Sequence, residues 1–211
     1  MTQLLFKNIA PVDDNLIHYL NLINPAFDCV TNKRILEIGP GQGRHTDLML
    51  SKSPASLTVV EPDIFACEYL TNTFENIDIV NDDAFSYISH KNQYDVVVAC
   101  GLIYHFHSPF YFLEQVVNNI GPDTFIIENP ANFNIEHAEL SCALTRENVD
   151  EIGQRVTINN YKAVNFNITI AHTILEQAMN DLGYDLTTTI NYDEDCSFKQ
   201  TLSMYVFTKK K

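Results

Sequence analysis

The sequence predicts an α/β fold: a three-layer α/β/α sandwich around a seven-stranded, mostly parallel sheet that finishes in a C-terminal antiparallel β-hairpin. Three observations carry this expectation. Apolar runs such as Val96-Val97-Val98-Ala99 lack the period-two alternation of a half-exposed strand, so both of their faces must be covered. Five such runs alternate with segments of helical spacing, the pattern of successive βαβ units. Near the carboxyl end two segments of alternating polarity flank the acidic turn Asp193-Glu194-Asp195, which reads as a hairpin at the sheet's edge.

Each element has a local reason. Leu16, Ile17, Leu20 and Ile23 fall at helical spacing behind a capping Asp13 or Asp14, so a helix over 13–23 precedes the first strand. Residues 33–38 form that strand and run into Gly39, Gly41 and Gly43, after which a helix over 44–51 ends at Ser53-Pro54. A strand over 57–61, a helix over 63–74 capped by Asp63 and a strand over 77–80 follow. The strand over 94–100 is the most apolar, and a helix over 109–120 and a strand over 124–128 complete the repeating pattern. Residues 131–166 are too long and polar for an ordinary crossover, and read as an insertion over the sheet's carboxyl edge. A helix over 169–182, with Ile170, Ile174, Leu175 and Ala178 on one face and Gly183 as its carboxyl cap, leads into hairpin segments 186–192 and 198–207.

Length fits one domain, 1–211, with one sizeable core. No apolar run approaches the ~18 residues of a membrane span, and the first ten residues lack the apolar core of a secretory signal. A cytoplasmic protein without membrane contact is expected. Cys29, Cys67, Cys100, Cys142 and Cys196 form no C-x-x-C pair and read as reduced core thiols. Thirteen basic against twenty-seven acidic side chains give a net charge of −14, which makes long nucleic acid a poor partner. Lys209, Lys210 and Lys211 read as a solvated tail.

Chemistry concentrates where strands end. Gly39, Gly41 and Gly43 permit a tight turn whose amides approach a ligand with no Cβ between them. Such a loop serves a dinucleotide, a phosphate or a nucleoside, but a dinucleotide binder places its third glycine where Arg44 stands. Glu37 and Glu61 lie at the carboxyl ends of the first two strands, where open α/β sheets place their ligand crevice. The pattern Glu37-x-Gly39-x-Gly41-x-Gly43 resembles the first motif of class I S-adenosylmethionine-dependent methyltransferases. The resemblance extends to the closing hairpin, to Glu61-Pro62, to Asp83-Ala84 after the third strand and to Cys100-Gly101-Leu102-Ile103-Tyr104-His105 after the fourth. That last run is similar to the loop of a branch containing many small-molecule methyltransferases and some enzymes that methylate or carboxymethylate tRNA.

The resemblance implies S-adenosylmethionine as cofactor and a role for each position. Glu37, Gly39, Pro40, Gly41 and Gly43 would cradle its methionine side, and Glu61 beside Pro62 would accept both ribose hydroxyls, since a carboxylate offers two acceptors to two adjacent donors. Asp83 and Ala84 would meet the adenine, with Phe85 as core, while Cys100 and Gly101 would face the methionine end. Tyr104 and His105 would face the acceptor, with His105 as a general base. Glu128, closing the fifth strand, could take the acceptor's proton. Asn129-Pro130 reads as a turn, because the Asn-Pro motif of nitrogen-directed methyltransferases follows strand four and not strand five. His105 and His107 have no third ligand at useful spacing, so no metal is expected. The implied activity is methyl transfer to the O, N or C atom of a small molecule, under a lid formed by 131–166. The alternatives are a tRNA-modifying methyl or carboxymethyl transferase and a non-catalytic regulatory protein that binds S-adenosylmethionine.

Overall fold

The computed structural model describes residues 14–90, 93–130, 141–144, 156–158, 161–163, 166–192 and 202–211. In chain order the elements of the first half are α1 (Asp14–Ile23), a 3-10 helix (Asn24–Val30), β1 (Arg34–Ile38), α2 (Arg44–Ser51), β2 (Ser56–Val60), α3 (Ile64–Thr73) and β3 (Asp78–Val80). The second half holds α4 (Ala84–Ile88), β4 (Val96–Cys100), a one-turn 3-10 helix (Ile103–His105), α5 (Pro109–Asn119) and β5 (Thr124–Pro130). Then come short strands β6 (Ser141–Leu144), β7 (Val156–Ile158), β8 (Tyr161–Ala163) and β9 (Phe166–Thr169), followed by α6 (His172–Asp181), β10 (Tyr184–Tyr192) and β11 (Leu202–Lys209).

Seven strands pair in the order β10-β11-β5-β4-β1-β2-β3, with β1 to β5 parallel and β11 antiparallel to both neighbours. The order reverses between β1 and β4, so the loops leaving these two strands diverge and open a crevice at their carboxyl ends. Apolar strand runs are explained by two cores. Leu36, Val97 and Ile127 face a cluster closed by Phe112, Leu113 and Leu175 from α5 and α6. Ile35, Val98 and Ile126 face the opposite cluster, closed by Tyr19, Phe27, Met49 and Leu70. Consecutive strand residues point to opposite faces, so a sheet covered on both sides needs apolar residues at every position.

Several expectations are corrected. Among the described side chains of α1, Ile23 is buried and Leu20 half-buried as expected, but Tyr19 is buried and Ile17 is 47% exposed, so the buried stripe is turned toward Tyr19. Residues 24–30 and 84–88, where no element is predicted, form the 3-10 helix and α4. Asn129 does not leave the sheet. β5 runs on through Pro130 because β11 supplies a partner, Ser203 opposite Asn129 and Leu202 opposite Pro130. The closing antiparallel pair does lie at the sheet's edge as expected, with β10 outermost and β11 between it and β5, and Ser203 to Phe207 are all buried. Residue 169 belongs to β9, and α6 starts at His172. Lys209 and Lys210 are not a loose tail: Lys209 ends β11 opposite Tyr184, and Lys210 Nζ bonds the Asn180 carbonyl at 3.0 Å, where the last turn of α6 favours a cation.

Cys67 and Cys100 are buried and Cys29 is half-buried, as expected of core thiols. Cys196 lies outside the described residues, as do 131–140, 145–155, 159–160 and 164–165 of the proposed insertion. The strands it does show form two small antiparallel sheets, β6 with β9 and β7 with β8. β9 lies beside the Ile103–His105 helix, at the carboxyl edge of the sheet. Among the described residues no helix is long and apolar enough to cross a membrane, and no group of three or more His, Cys, Asp or Glu side chains could hold a metal.

Candidate active site

The crevice is lined by the loops after β1, β2, β3 and β4. Gly39, Gly41 and Gly43 have φ of +69°, +56° and +82°, the left-handed region that only glycine adopts without strain. Their reasons differ. A Cβ on Gly43 would stand 2.3 Å from the Phe74 ring, so this glycine exists for packing α2 against α3. A Cβ on Gly39 would stand 3.0 Å from Leu102, where the β1 and β4 loops meet. A Cβ on Gly41 would meet nothing within 4 Å, so the backbone there borders open space.

Main-chain bonds hold this loop to the next strand. Gly39 N–H donates to the Val60 carbonyl at 2.9 Å, and Gly43 N–H to Pro40 at 3.0 Å. Glu61 is nearly buried and accepts the Gly41 N–H at 3.3 Å and the Asp63 N–H at 3.0 Å, bridging the two loops. Asn81, from the end of β3, donates to the carbonyls of Glu61 and Pro62 at 3.0 Å each and fixes the turn from behind. Asp63 caps α3 through Phe65 N at 2.8 Å, as its position before the helix predicts. Asp83 is exposed and caps α4 through Ser86 N at 3.0 Å, with Ala84 half-buried behind it. Phe85 is half-buried in an aromatic wall with Phe106 and Tyr111, 5.2 and 5.8 Å between centroids.

A second group gathers on one face of β1, β4 and β5. Register sets Glu37 opposite Val98, and Cys100, two residues on, opposite Glu128, so Glu37, Cys100 and Glu128 emerge on the same side. Glu37 is 2% exposed and accepts from Thr46 Oγ1 at 2.5 Å. Burial pushes its carboxyl up to about 7, Thr46 opposes the shift, and the Glu61 charge adds to it. Burial also raises Glu61, against the bonds from Asp63 and Gly41. The Cys100 thiol is driven well upward by burial and by Glu128 and Glu37, so it stays protonated. Tyr104 is pushed up to about 12 by burial, then by Glu128 and Cys100. It is therefore a neutral donor, not a base. Its ring tilts against His105 at 4.3 Å, and its hydroxyl and Glu128 Oε2 each lie 3.6 Å from where a Cβ on Gly101 would stand.

Two residues that the sequence reading did not single out join this group. Tyr19 donates to Glu128 Oε1 at 2.5 Å and lies 2.7 Å from His45 Nε2. The available signal was Tyr19 four residues before Ile23 on the buried stripe of α1, a hydroxyl aimed inward. His45, two residues past Gly43, carried no signal of its own.

Residues 14–189 match the methyltransferase domain family. The chain belongs to that family. Its sheet order and closing antiparallel pair are those of its structural neighbours, which have the class I fold of S-adenosylmethionine-dependent methyltransferases. A 1,6-didemethyltoxoflavin N1-methyltransferase of Burkholderia thailandensis, solved with its substrate and S-adenosylhomocysteine, superposes with a TM-score of 0.65 at 13% identity, covering 93% of this chain and 81% of that one. An S-adenosylmethionine-dependent methyltransferase of Mesorhizobium loti gives 0.62 at 12% identity, covering 90% of this chain and 100% of that one. In sequence, a tRNA U34 carboxymethyltransferase of Pseudoalteromonas atlantica is 25% identical over 120 residues, 52% of this chain and 37% of that protein. A ribosomal RNA small subunit methyltransferase A of Pelagibacter ubique is 47% identical over 55 residues, 26% of this chain and 21% of that protein. The chain thus aligns with well under half the length of these two relatives.

The residues present fit the cofactor. Glu37 and Glu61 are buried carboxyls, both raised by burial and Glu37 further by the Glu61 charge, and a ligand bearing sulfonium and ammonium charges would favour their charged forms. The open side of Gly41 gives its backbone a place to meet such a ligand.

Proposed function

We propose that the protein transfers the methyl group of S-adenosylmethionine to a small-molecule acceptor at the carboxyl edge of β4 and β5. The observation that supports this best is the pairing of two unlike sites across one switch point: an open glycine cradle bridged by Glu61, and a Tyr104, His105 and Glu128 group beside Gly101. Bound there, S-adenosylmethionine supplies an electrophilic methyl on a cationic sulfur. Glu37, Gly39, Pro40, Gly41 and Gly43 hold the methionine side, Glu61 with Pro62 the ribose, and Asp83 with Ala84 the adenine. Cys100 and Gly101 border the methyl. The methyl would pass in line to the acceptor as its bond to sulfur breaks, and Glu128 or His105 would take the proton that the acceptor loses. Tyr104 donates from its neutral hydroxyl and orients the acceptor. The short strands of 131–166, with β9 beside the Ile103–His105 helix, cover the acceptor and exclude water. Incubating the pure protein with methyl-labelled S-adenosylmethionine and a cell extract that contains both small molecules and RNA tests this: a labelled small product is expected, and label confined to RNA would overturn the choice of acceptor.

The partial match to a tRNA U34 carboxymethyltransferase favours a second reading, transfer of a methyl or carboxymethyl group to tRNA. The product's mass separates the two groups transferred. The net charge of −14 argues against unaided RNA binding.

A further inference from the structure

Beneath α1 runs a buried polar chain of which the transfer chemistry above uses only the last member, Glu128. Tyr19, His45 and Glu128 come from α1, α2 and β5 and are 6%, 8% and 6% exposed. Tyr19 Oη donates to Glu128 Oε1 at 2.5 Å and stands 2.7 Å from His45 Nε2. A phenol has one proton. With that proton on the Glu128 bond, Tyr19 can only accept from the imidazole, so His45 carries its proton on Nε2. The chain therefore has one direction, from His45 through Tyr19 to the carboxylate.

Both intermediates are held in place. Phe27 stacks on the His45 ring at 6.0 Å, and the Arg44 guanidinium lies 5.5 Å over the Tyr19 ring. The charged groups acting on His45 are Glu128, which raises it, and Arg44, which lowers it, while burial is the largest influence and keeps it neutral. The other carboxylate oxygen, Oε2, and Tyr104 Oη each lie 3.6 Å from where a Cβ on Gly101 would stand. The φ of +64° at Gly101 favours glycine there, which leaves the space beside both oxygens open.

We propose that Tyr19 and His45 are positioning residues: they hold Glu128 by one oxygen so that the other stays aimed over Gly101, beside the methyl-bearing end of the donor. This rests on the assignment of Gly101 and Glu128 made above. A fixed carboxylate there favours a cationic sulfur over a neutral one, so the chain also helps the site distinguish S-adenosylmethionine from S-adenosylhomocysteine.

Calorimetry with these two ligands tests the proposal without knowledge of the acceptor. In the full-length protein, Tyr19→Phe, His45→Leu and Glu128→Gln should each lower the preference for S-adenosylmethionine by roughly fivefold to tenfold, the scale of a charge-assisted bond. Their effects should not add, because they break one unit. His45→Gln, which keeps an N–H donor, should restore most of the preference. Long-range proton–nitrogen spectra of His45 in the wild-type protein should show the neutral ring protonated on Nε2, a readout that survives if any variant fails to fold. A preference unchanged in folded Tyr19→Phe, or a bare Nε2 on His45, overturns the proposal while leaving the methyltransferase reading intact. Wild-type protein that binds neither ligand overturns both.

Discussion

The two sides of the switch point are built differently. On the β1–β3 side each functional group is held by its own neighbourhood: Glu61 by the amides of Gly41 and Asp63, the Glu61-Pro62 turn by Asn81, Asp63 and Asp83 by the helices they cap. On the β4–β5 side Glu128 is held by Tyr19 and, through it, by His45, residues 109 and 83 positions away in the chain. Backbone geometry specifies the first side; the second depends on several elements docking together. A site that needs the same donor but varied acceptors is served by that division, because the acceptor side can change its distant parts without disturbing the cradle.

The comparison can be broken inside the glycine loop, where the largest effect is expected. Gly43→Val drives a Cβ into the Phe74 ring at a φ of +82° and should cost about 4 kcal/mol, read by urea unfolding. Gly41→Ala meets no protein atom and pays only its left-handed φ, about 1 kcal/mol. It should nonetheless weaken S-adenosylhomocysteine binding strongly in calorimetry. Equal stability losses at the two positions would mean that the loop has one purpose, not two.

Glu37 sharpens the comparison, since it sits on the seam. Its folded carboxyl titrates at about 7 instead of the ordinary 4.5, so the folded protein holds this proton more tightly than the unfolded chain does. Its contribution to stability is full below pH 4.5 and is lost as pH rises to 7, about 3 kcal/mol in all. Unfolding of the wild type and of Glu37→Gln at pH 5 and pH 8 should show the pH dependence shrinking in the variant. A cationic donor should lower this carboxyl, so binding near pH 6 should release a proton, measurable from the buffer dependence of the binding enthalpy.

The smallest effect tests whether the β1–β3 side is local. Asp63→Ala removes the cap of α3 and should cost about 1 kcal/mol, with amide exchange rising in the first turn of α3 and not in β4 or β5. Exchange spreading to β5 would show the two sides coupled, and would remove the distinction.

Legibility in the sequence follows the same line. Strands β1, β2, β4 and β5 were readable because burial on both faces forces continuous apolar runs, and the glycine loop because left-handed φ leaves few residues to choose from. Asp63 as a cap was readable because capping is a bond between near neighbours. The course of β5 through Asn129-Pro130 was not, since Asn before Pro ends a strand locally and only the arrival of β11 overrides that preference. The buried stripe of α1 was readable only in part: Ile23 is buried as expected, but docking leaves Ile17 in solvent and turns Tyr19 inward.

The sequence by itself thus determined the order of elements, the two-sided burial of the sheet and the cradle of Gly39, Gly41 and Gly43, all set by contacts within a few residues or by composition along one strand. Tertiary structure alone decided that β11 separates β5 from β10, that Glu37, Cys100 and Glu128 share a face, and that Tyr19 and His45 converge on Glu128. Those depend on strand register and helix docking, where the energy of any one contact is small and only the packing of the whole core selects the partners.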